Sequence, residues 1–402
     1  MQGSEFRASS VATAWHTLAR LTRQSSKSSD KGPAQRNPEL VERLVQMARE
    51  SAGDFNALGV SNMLWSLAHT SEEGHGELIK KLVVRAMSVA GTFKSQHVAN
   101  SLWALDKLGL NGELVLIRSL GRRGMEISDE FNPYEVSIAL SALARMEKVH
   151  EPGLVEALLQ RGVELARGDH EFKPPDVANS LRALALLGGG SQEHRDFLDV
   201  LCVRAQQNVP AFAPLQLANV TWSLAKLEAK DQVELIQALA TRAGGIAESA
   251  MAKDVAESLW ALAKLEARVD QATLIALAQR GAETASDLVA HDIANSLWAL
   301  ATLGFSAESQ AVPGICQRGH ETAQDFRAED VAVVLWALAT MQTRGETAEE
   351  RSLIEDMERK GLDLADELSP AEASTALWAL AALRKDGESP LVRALVARIV
   401  AQ

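Results

Sequence analysis

The chain has 402 residues, a formal net charge of -12, 47% hydrophobic residues and 4% aromatic residues. Its apolar fraction is rich in Ala and Leu, which favours helices and argues against an all-β fold. No apolar run reaches the roughly eighteen residues that indicate a membrane span, and Cys202 and Cys316 are too few for a disulfide framework. The acidic charge would repel phosphate at long range, so a nucleic-acid surface would have to be a local basic stripe.

The first 36 residues differ in composition from the rest of the chain. Residues 1–36 hold few acids and several Arg, Lys and Ser, which is typical of an organelle transit peptide. The stretch from Val11 to Leu21 also resembles a degenerate copy of the repeated helix described next. We therefore predict either a transit peptide or a degenerate repeat in this segment.

Residues 37–388 are predicted to contain nine copies of one unit. A variant of the phrase Val-Ala-Asn-Ser-Leu-Trp-Ala-Leu-Ala-Lys-Leu recurs at intervals of 38, 38, 41, 40, 38, 38, 38 and 42 residues. The position of its Trp, here called the Trp slot, is occupied in chain order by Trp65, Trp103, Ser141, Arg182, Trp222, Trp260, Trp298, Trp336 and Trp378. A period in this range predicts stacked supersecondary units. Such a stack offers a long surface to an extended partner.

Each unit contains two segments with helical periodicity, separated by a turn. We call the first helix A and the second, which carries the Trp slot, helix B. The residue two positions after the slot is Leu in all nine copies, and small residues recur four positions before and one position after it. This pattern predicts a buried face on which helices approach closely. The fold prediction is all-α, an α-solenoid of about nine two-helix repeats of roughly 38 residues.

Helix B carries start signals in several copies. Asn132 with Glu135, and Ser369 with Glu372, have the spacing of a capping box. Acidic residues fill the same position in four other copies, namely Asp176, Asp254, Asp292 and Asp330. Because the N-terminal end of a helix favours negative charge, we assign these carboxylates a structural role.

Helix A carries a column of basic residues, most of them eighteen positions before the Trp slot. Its members are Arg85, Arg123, Arg161, Arg204, Arg242, Arg280, Arg318 and Lys360. Cations in register along a solenoid are a candidate phosphate track. The alternative is that the column is neutralised within helix A, because an acidic residue follows three positions later in five copies, as in Arg123 with Glu126.

Three further columns lie on one side of helix B, three positions before the Trp slot, at the slot, and four positions after it. These positions fall within about 60° of each other on a helix. An amide for a base edge, an aromatic ring for stacking and a cation for the backbone could together read a single strand. The candidate RNA-binding residues are Asn62, Asn100, Asn179, Asn219 and Asn295, then Trp103, Trp222, Trp260 and Trp298, and finally Lys107, Lys226 and Lys264.

The alternative is that the Trp residues pack between units and the Asn residues bridge helices within the scaffold. Ser141 and Arg182 argue against a sealed slot, because a Ser there would leave a cavity and an Arg would bury a charge. We therefore expect the slot to be open on one side. Both interpretations of the columns remain open at the level of sequence.

The phrase around Trp103, Trp222 and Trp298 resembles the repeat of octotricopeptide repeat proteins of plastids and mitochondria, over about residues 38 to 388. It is also similar to repeats of FAST-kinase-domain mitochondrial proteins and of related protist proteins. The resemblance implies sequence-selective binding of single-stranded organellar RNA in the matrix of a mitochondrion or plastid, in support of transcript processing, stability or translation. It implies no cofactor, no metal and no catalysis.

Armadillo repeats are the alternative resemblance, because they bind extended peptides with Asn and Trp ladders. In those repeats the Asn follows the Trp by four residues, whereas here it precedes the Trp by three. The alternative function is accordingly a protein–protein scaffold within an organellar complex. Neither interpretation involves a membrane or a small-molecule substrate.

The sequence contains no recognisable motif for catalysis, metal binding or phosphate binding. His320-Glu321 lacks a second His at zinc-protease spacing, and no Gly-rich loop with a following Lys is present. We therefore predict a protein that is not an enzyme. Residues 389–402 are predicted to form a terminal capping helix or the start of a further repeat.

Overall fold

The computed structural model describes residues 2–25, 37–70, 75–146, 152–188, 191–305, 311–342, 347–385 and 389–400. Every regular element within these ranges is helical, which confirms the all-α solenoid prediction. The chain divides into two compact units, Met1–Arg204 and Ala205–Gln402.

The helices alternate along the chain as the repeat predicts. A first helix spans Gln2–Ser25. The helices A are Pro38–Ser51, Gly76–Val89, Leu114–Glu126, Pro152–Arg167, Gln192–Asn208, Val233–Gly245, Gln271–Glu283, Ala311–Glu321, Ala348–Asp363 and, without a following helix B among the described residues, Pro390–Val400. The helices B are Ala57–Thr70, Ser95–Lys107, Pro133–Arg145, Pro174–Leu187, Pro214–Lys226, Ala252–Lys264, Ala290–Thr302, Ala328–Thr340 and Pro370–Ala382.

Within each unit, consecutive helices B pack against one another in one layer and helices A follow one another in a second layer. A helix B also packs on the helix A that follows it in the chain. In the first repeat, the turn Ala52–Asp54 precedes the helix B Ala57–Thr70, and this helix B contacts the next helix A, Gly76–Val89. The Leu two positions after the Trp slot is buried in all nine repeats, which confirms the predicted core face. Single 3-10 turns such as Ala52–Asp54 and Ala285–Asp287 join A to B.

The predicted helix starts are present. Asn132 Oδ1 accepts from the Glu135 N–H at 3.0 Å, and Glu135 Oε2 accepts from the Asn132 N–H at 3.1 Å. Asp254 Oδ2 likewise accepts from the Met251 N–H at 3.3 Å. Burial raises the pKa of the Asp254 carboxyl, and that backbone hydrogen bond opposes the rise. These contacts account for the acidic column as helix caps.

The first helix packs on the helix B of the first repeat, Ala57–Thr70. His16 lies against Trp65 with ring centroids 4.8 Å apart, whereas Trp15 is completely buried. His16 therefore occupies the place of the Trp slot, and Trp15 occupies the place of the buried Leu before it. The first helix thus packs on a helix B as successive helices B pack on one another. Both interpretations of residues 1–36 stay predictions, and residues 26–36 lie outside the described part of the chain.

Helix B is followed by a left-handed residue six positions after the Trp slot. Three repeats have Gly there, with φ of 68° at Gly109, 53° at Gly188 and 74° at Gly304. Four repeats place another residue in the same conformation, with φ of 54° at Glu228, 53° at Glu266, 58° at Gln342 and 57° at Arg384. Side chains with a Cβ adopt this conformation at a cost, whereas Gly adopts it freely.

Replacing Glu228 with Gly is therefore expected to raise the free energy of unfolding by about 1 kcal/mol. Chemical denaturation followed by circular dichroism measures the change. Glu228→Ala is the matched control, because it removes the same charge but keeps a Cβ at positive φ. Equal effects of the two substitutions would show that charge, and not backbone conformation, sets the stability of this turn.

Candidate functional site

The basic column of helix A links consecutive repeats. Six of its eight side chains donate to a backbone carbonyl at the end of the preceding A-to-B connection. Arginine Nε reaches the oxygen of the residue thirty positions earlier in five pairs: Arg85 with Phe55 (2.6 Å), Arg123 with Phe93 (2.9 Å), Arg161 with Phe131 (3.0 Å), Arg280 with Ala250 (2.8 Å) and Arg318 with Leu288 (3.1 Å).

The other members make related contacts. Arg242 Nη2 donates to Phe212 O at 3.3 Å, Arg204 donates to Ala166 O and Gly168 O, and Lys360 Nζ donates to Gln324 O at 2.8 Å. Arg398 adds a ninth contact of the same kind, to Leu368 O at 2.7 Å. Arg398 has no Trp slot after it in the sequence, so the spacing of the column does not identify it.

Four of these arginines also form the intrahelical pairs expected as the alternative. Nη1 lies 3.1 Å from the Glu carboxylate in Arg123 with Glu126, and 3.3 Å in Arg161 with Glu164, Arg280 with Glu283 and Arg318 with Glu321. The arginine side chains in these pairs are only 22–27% exposed. The geometry therefore favours a structural role in joining repeats, and the phosphate track stays a prediction.

A groove opens on the face of helix B that carries the Asn, Trp and Lys columns in the second unit. It has a volume of about 450 Å³. Three successive helices B line it, with Trp222 and Lys226 from the first, Lys253, Glu257 and Trp260 from the second, and His291, Asp292 and Asn295 from the third. Its volume falls in the range of small-ligand sites.

Lysines lie over the indole rings of this face. The Lys226 ammonium is 5.7 Å from the centroid of Trp222 and 5.4 Å from that of Trp260. Lys264 stands 5.2 Å from the ring of Trp298 in the same manner. Cations in these positions are attracted by the negative ring face. The structure thus brings the predicted Trp and Lys columns together in the second unit.

The amides of the Asn column are half-buried, not sealed in the core. Among the described residues, the side-chain amides of Asn62, Asn100, Asn179 and Asn295 form no hydrogen bond. A bridging role within the scaffold would require such bonds. The arrangement therefore favours contact with a ligand or solvent for these four amides, whereas Asn219 makes a contact within the protein.

The groove also contains charged residues outside the three predicted columns. Lys253 and His291 lie seven positions before the Trp slot, two helical turns along the same face. Burial raises the pKa of the Asp292 carboxyl, and the positive charge of Lys253 and the nearby His291 oppose that rise. In the sequence, Lys253 and His291 can be found by counting two helical turns back from the Trp slot.

In the first unit the same face is an aromatic stack. The Trp65 ring lies 3.8 Å from that of His69, and the His69 ring is stacked 4.7 Å from that of Trp103. Lys107 is exposed, and Arg145 Nε donates to Asp106 Oδ2 at 2.7 Å. Histidine therefore takes the place between rings that Lys226 takes in the second unit.

The expectation of an open slot is correct for most repeats and wrong for two. The rings of Trp103, Trp222, Trp260, Trp298 and Trp336 are half-buried, and Trp378 is 52% exposed. Trp65 is buried because His16 and His69 cover it. Ser141 is buried because its short side chain reaches inward, with Oγ donating to Asn179 O at 3.2 Å.

One cluster within the described residues has metal-ligating side chains close together, formed by His291, Glu329 and Asp330. Arg327 pairs with both carboxylates, at 2.9 Å to Glu329 and 3.5 Å to Asp330. A guanidinium thus already occupies the space between these acids and pairs with both, so the cluster does not fit a cation. Among the described residues, no helix has the length and apolarity needed to span a bilayer.

Part of the groove and the repeats before it lie in a region that matches a known family, whereas His291, Asp292 and Asn295 lie outside that region. Residues 73–272 match the family model of RNA-editing substrate-binding complex 6 protein. The matched region extends from the second helix A through Trp260 and contains Trp103, Trp222 and Glu257. The chain is thus similar to an RNA-related helical family. This match does not test the octotricopeptide resemblance, which stays a prediction.

Other comparisons add less. No curated protein matches the chain. A homology model of the full-length AP-3 complex matches at 11% identity, over 90% of this chain and 69% of that chain, with a TM-score of 0.27. A circular tandem repeat protein matches at 14% identity, over 99% and 96% of the two chains, with a TM-score of 0.23. An engineered protein matches at 13% identity, over 96% and 98%, with a TM-score of 0.21. These scores are too low to indicate a shared fold.

Proposed function

We propose that the chain is a non-catalytic binder of single-stranded RNA, and that the Asn, Trp and Lys face of helix B is the binding surface. The observation that carries the proposal is the groove in which Trp222, Lys226, Trp260 and Asn295 come together. The match to a family named for an RNA-editing substrate-binding complex supports the ligand class.

RNA binding would replace contacts that the Lys and Trp side chains of this face make with each other in the free protein. Bases stack on indole rings irrespective of sequence, with about 1–3 kcal/mol per base. The exposed Lys226 ammonium would leave the ring face and pair with a backbone phosphate, while Asn295 would hydrogen-bond a base edge. Lys226 and Lys253 would supply the cations for phosphate contact in a chain with a net charge of -12, although Glu257 and Asp292 offset their charge within the groove.

The cellular role that follows is that of an RNA-binding subunit in a complex that processes, stabilises or translates organellar transcripts. The partners would be RNA and other proteins of a ribonucleoprotein complex, in the matrix of a mitochondrion or plastid. No cofactor or metal is needed for this role, since stacking and hydrogen bonding supply the affinity.

The proposal is tested by retention of a randomised single-stranded RNA pool on the purified protein across a salt series. We expect retention that falls with salt and enriches a motif of roughly one base per repeat. Absence of retention at low salt, together with stable capture of a protein from the same complex, would favour the armadillo-like scaffold instead.

The basic column of helix A gives a separate prediction. If Arg204, Arg242 and Arg280 contact phosphates, their joint replacement by Gln should weaken binding to all sequences alike and flatten the salt dependence. Each substitution also removes an inter-repeat hydrogen bond worth about 1–2 kcal/mol, so binding is measured at a temperature where circular dichroism shows the variant folded. A salt slope equal to that of the wild type would restrict the column to its structural role.

A further inference from the structure

The position three residues before the Trp slot differs in character among the repeats. It is Asn in five of them, but Glu257 occupies it in the repeat at the centre of the groove. Asn carries both a donor and an acceptor, whereas an ionised carboxylate only accepts hydrogen bonds. The groove therefore presents a hydrogen-bonding pattern that the Asn repeats do not.

A lysine stands next to this carboxylate. The Lys253 ammonium lies 3.9 Å from Glu257 Oε1, one helical turn earlier on the same helix. The Glu257 side chain is 16% exposed and that of Lys253 is 70% exposed. The groove lining thus combines a mostly buried carboxylate with an exposed ammonium one helical turn away.

We propose that the Glu257 repeat selects guanine. The hydrogen-bonding edge of an unpaired guanine presents the O6 acceptor followed by the N1–H and N2–H donors. The two donors match the two oxygens of Glu257, and O6 matches Lys253. Uracil would place a carbonyl against the carboxylate, and cytosine and adenine each offer one donor group with ring acceptors beside it.

The neighbouring residues fit a base held in this way. Trp222 and Trp260 supply aromatic faces in the same groove, and Asn295 from the next helix supplies an amide that has no hydrogen-bond partner among the described residues. Stacking would hold any base in the groove, while the Glu257 and Lys253 edge would choose among bases. The inference rests on the proposed RNA-binding function and specifies the base at one repeat.

The test is selection from the randomised RNA pool with the wild type, with Glu257→Gln and with Glu234→Gln. The control removes the same charge from an exposed position on a helix A, outside the groove lining. We expect one motif position to favour guanine by about tenfold in the wild type and in the control, and by less than twofold in Glu257→Gln. Overall retention should persist in all three proteins.

A second measurement uses the selected RNA with inosine in place of that guanine. Inosine keeps O6 and N1–H but lacks the N2 amino group, so wild-type affinity should fall several-fold while Glu257→Gln should bind both RNAs equally. A wild-type motif without a guanine position, or a guanine preference unchanged in Glu257→Gln, would overturn the inference while leaving RNA binding intact. A wild-type protein that retains no RNA would instead overturn the proposed function itself.

Discussion

Replacing both Trp222 and Trp260 with Ala is expected to lower the affinity for single-stranded RNA about 100-fold. Stacking contributes about 1–3 kcal/mol per base, and two ring faces are lost together. Both rings line the groove and are half-buried, so part of each ring is available to a ligand. Fluorescence anisotropy of a labelled RNA selected by the wild type measures the change.

The matched control is the double substitution Trp222→Phe with Trp260→Phe. It retains an aromatic face at each position and should keep most of the affinity. Thermal unfolding of both variants shows whether the repeats remain folded. Equal loss of affinity in the Ala and Phe variants would mean that the indole rings act through packing and not by stacking on RNA.

Replacing Gly162 with Ala is expected to lower the free energy of unfolding by about 2–3 kcal/mol. A Cβ on Gly162 would lie 2.5 Å from Cζ and 2.6 Å from Cε2 of Phe197, whose ring is completely buried. Adjacent helices A approach each other here, in Pro152–Arg167 and Gln192–Asn208, and a buried ring cannot move aside without disturbing its neighbours. Urea denaturation measures the loss.

Gly281→Ala is the control at the equivalent position of another repeat. Gly281 follows Arg280 as Gly162 follows Arg161, but its nearest contact to a new Cβ is Val255 Cγ1 at 3.6 Å. That distance is ordinary packing, so the higher helix propensity of Ala should leave stability unchanged or raise it by up to about 1 kcal/mol. A similar destabilisation in both variants would argue against the steric explanation for Gly162.

The repeated helices were predictable because the same local signals recur in each unit. The buried Leu after the Trp slot and the caps at Asn132 and Asp254 depend on residues within one helix, and sequence spacing describes these well. The N-terminal helix follows the same spacing. Alignment of residues 11–21 with the repeat phrase puts His16 at the Trp slot, and the His16 ring lies against that of Trp65.

The site was predicted in part. The angular proximity of the Asn, Trp and Lys columns follows from helix geometry, and the groove contains members of all three. The contact of Arg280 with Ala250 O could not be read from spacing, because it depends on how successive repeats pack. The position of His69 also depends on how repeats pack. Its ring lies between those of Trp65 and Trp103, and in the second unit Lys226 takes the corresponding place between two indole rings.

Ultraviolet cross-linking of the wild-type protein to its selected RNA, followed by mass spectrometry of the linked peptides, tests the proposed binding face most directly. We predict that cross-links concentrate in the peptides of helices B that contain Trp222, Trp260 and Asn295. Cross-links confined to helices A, in peptides such as the one containing Arg280, would contradict that assignment and place the RNA on the opposite layer of the repeats.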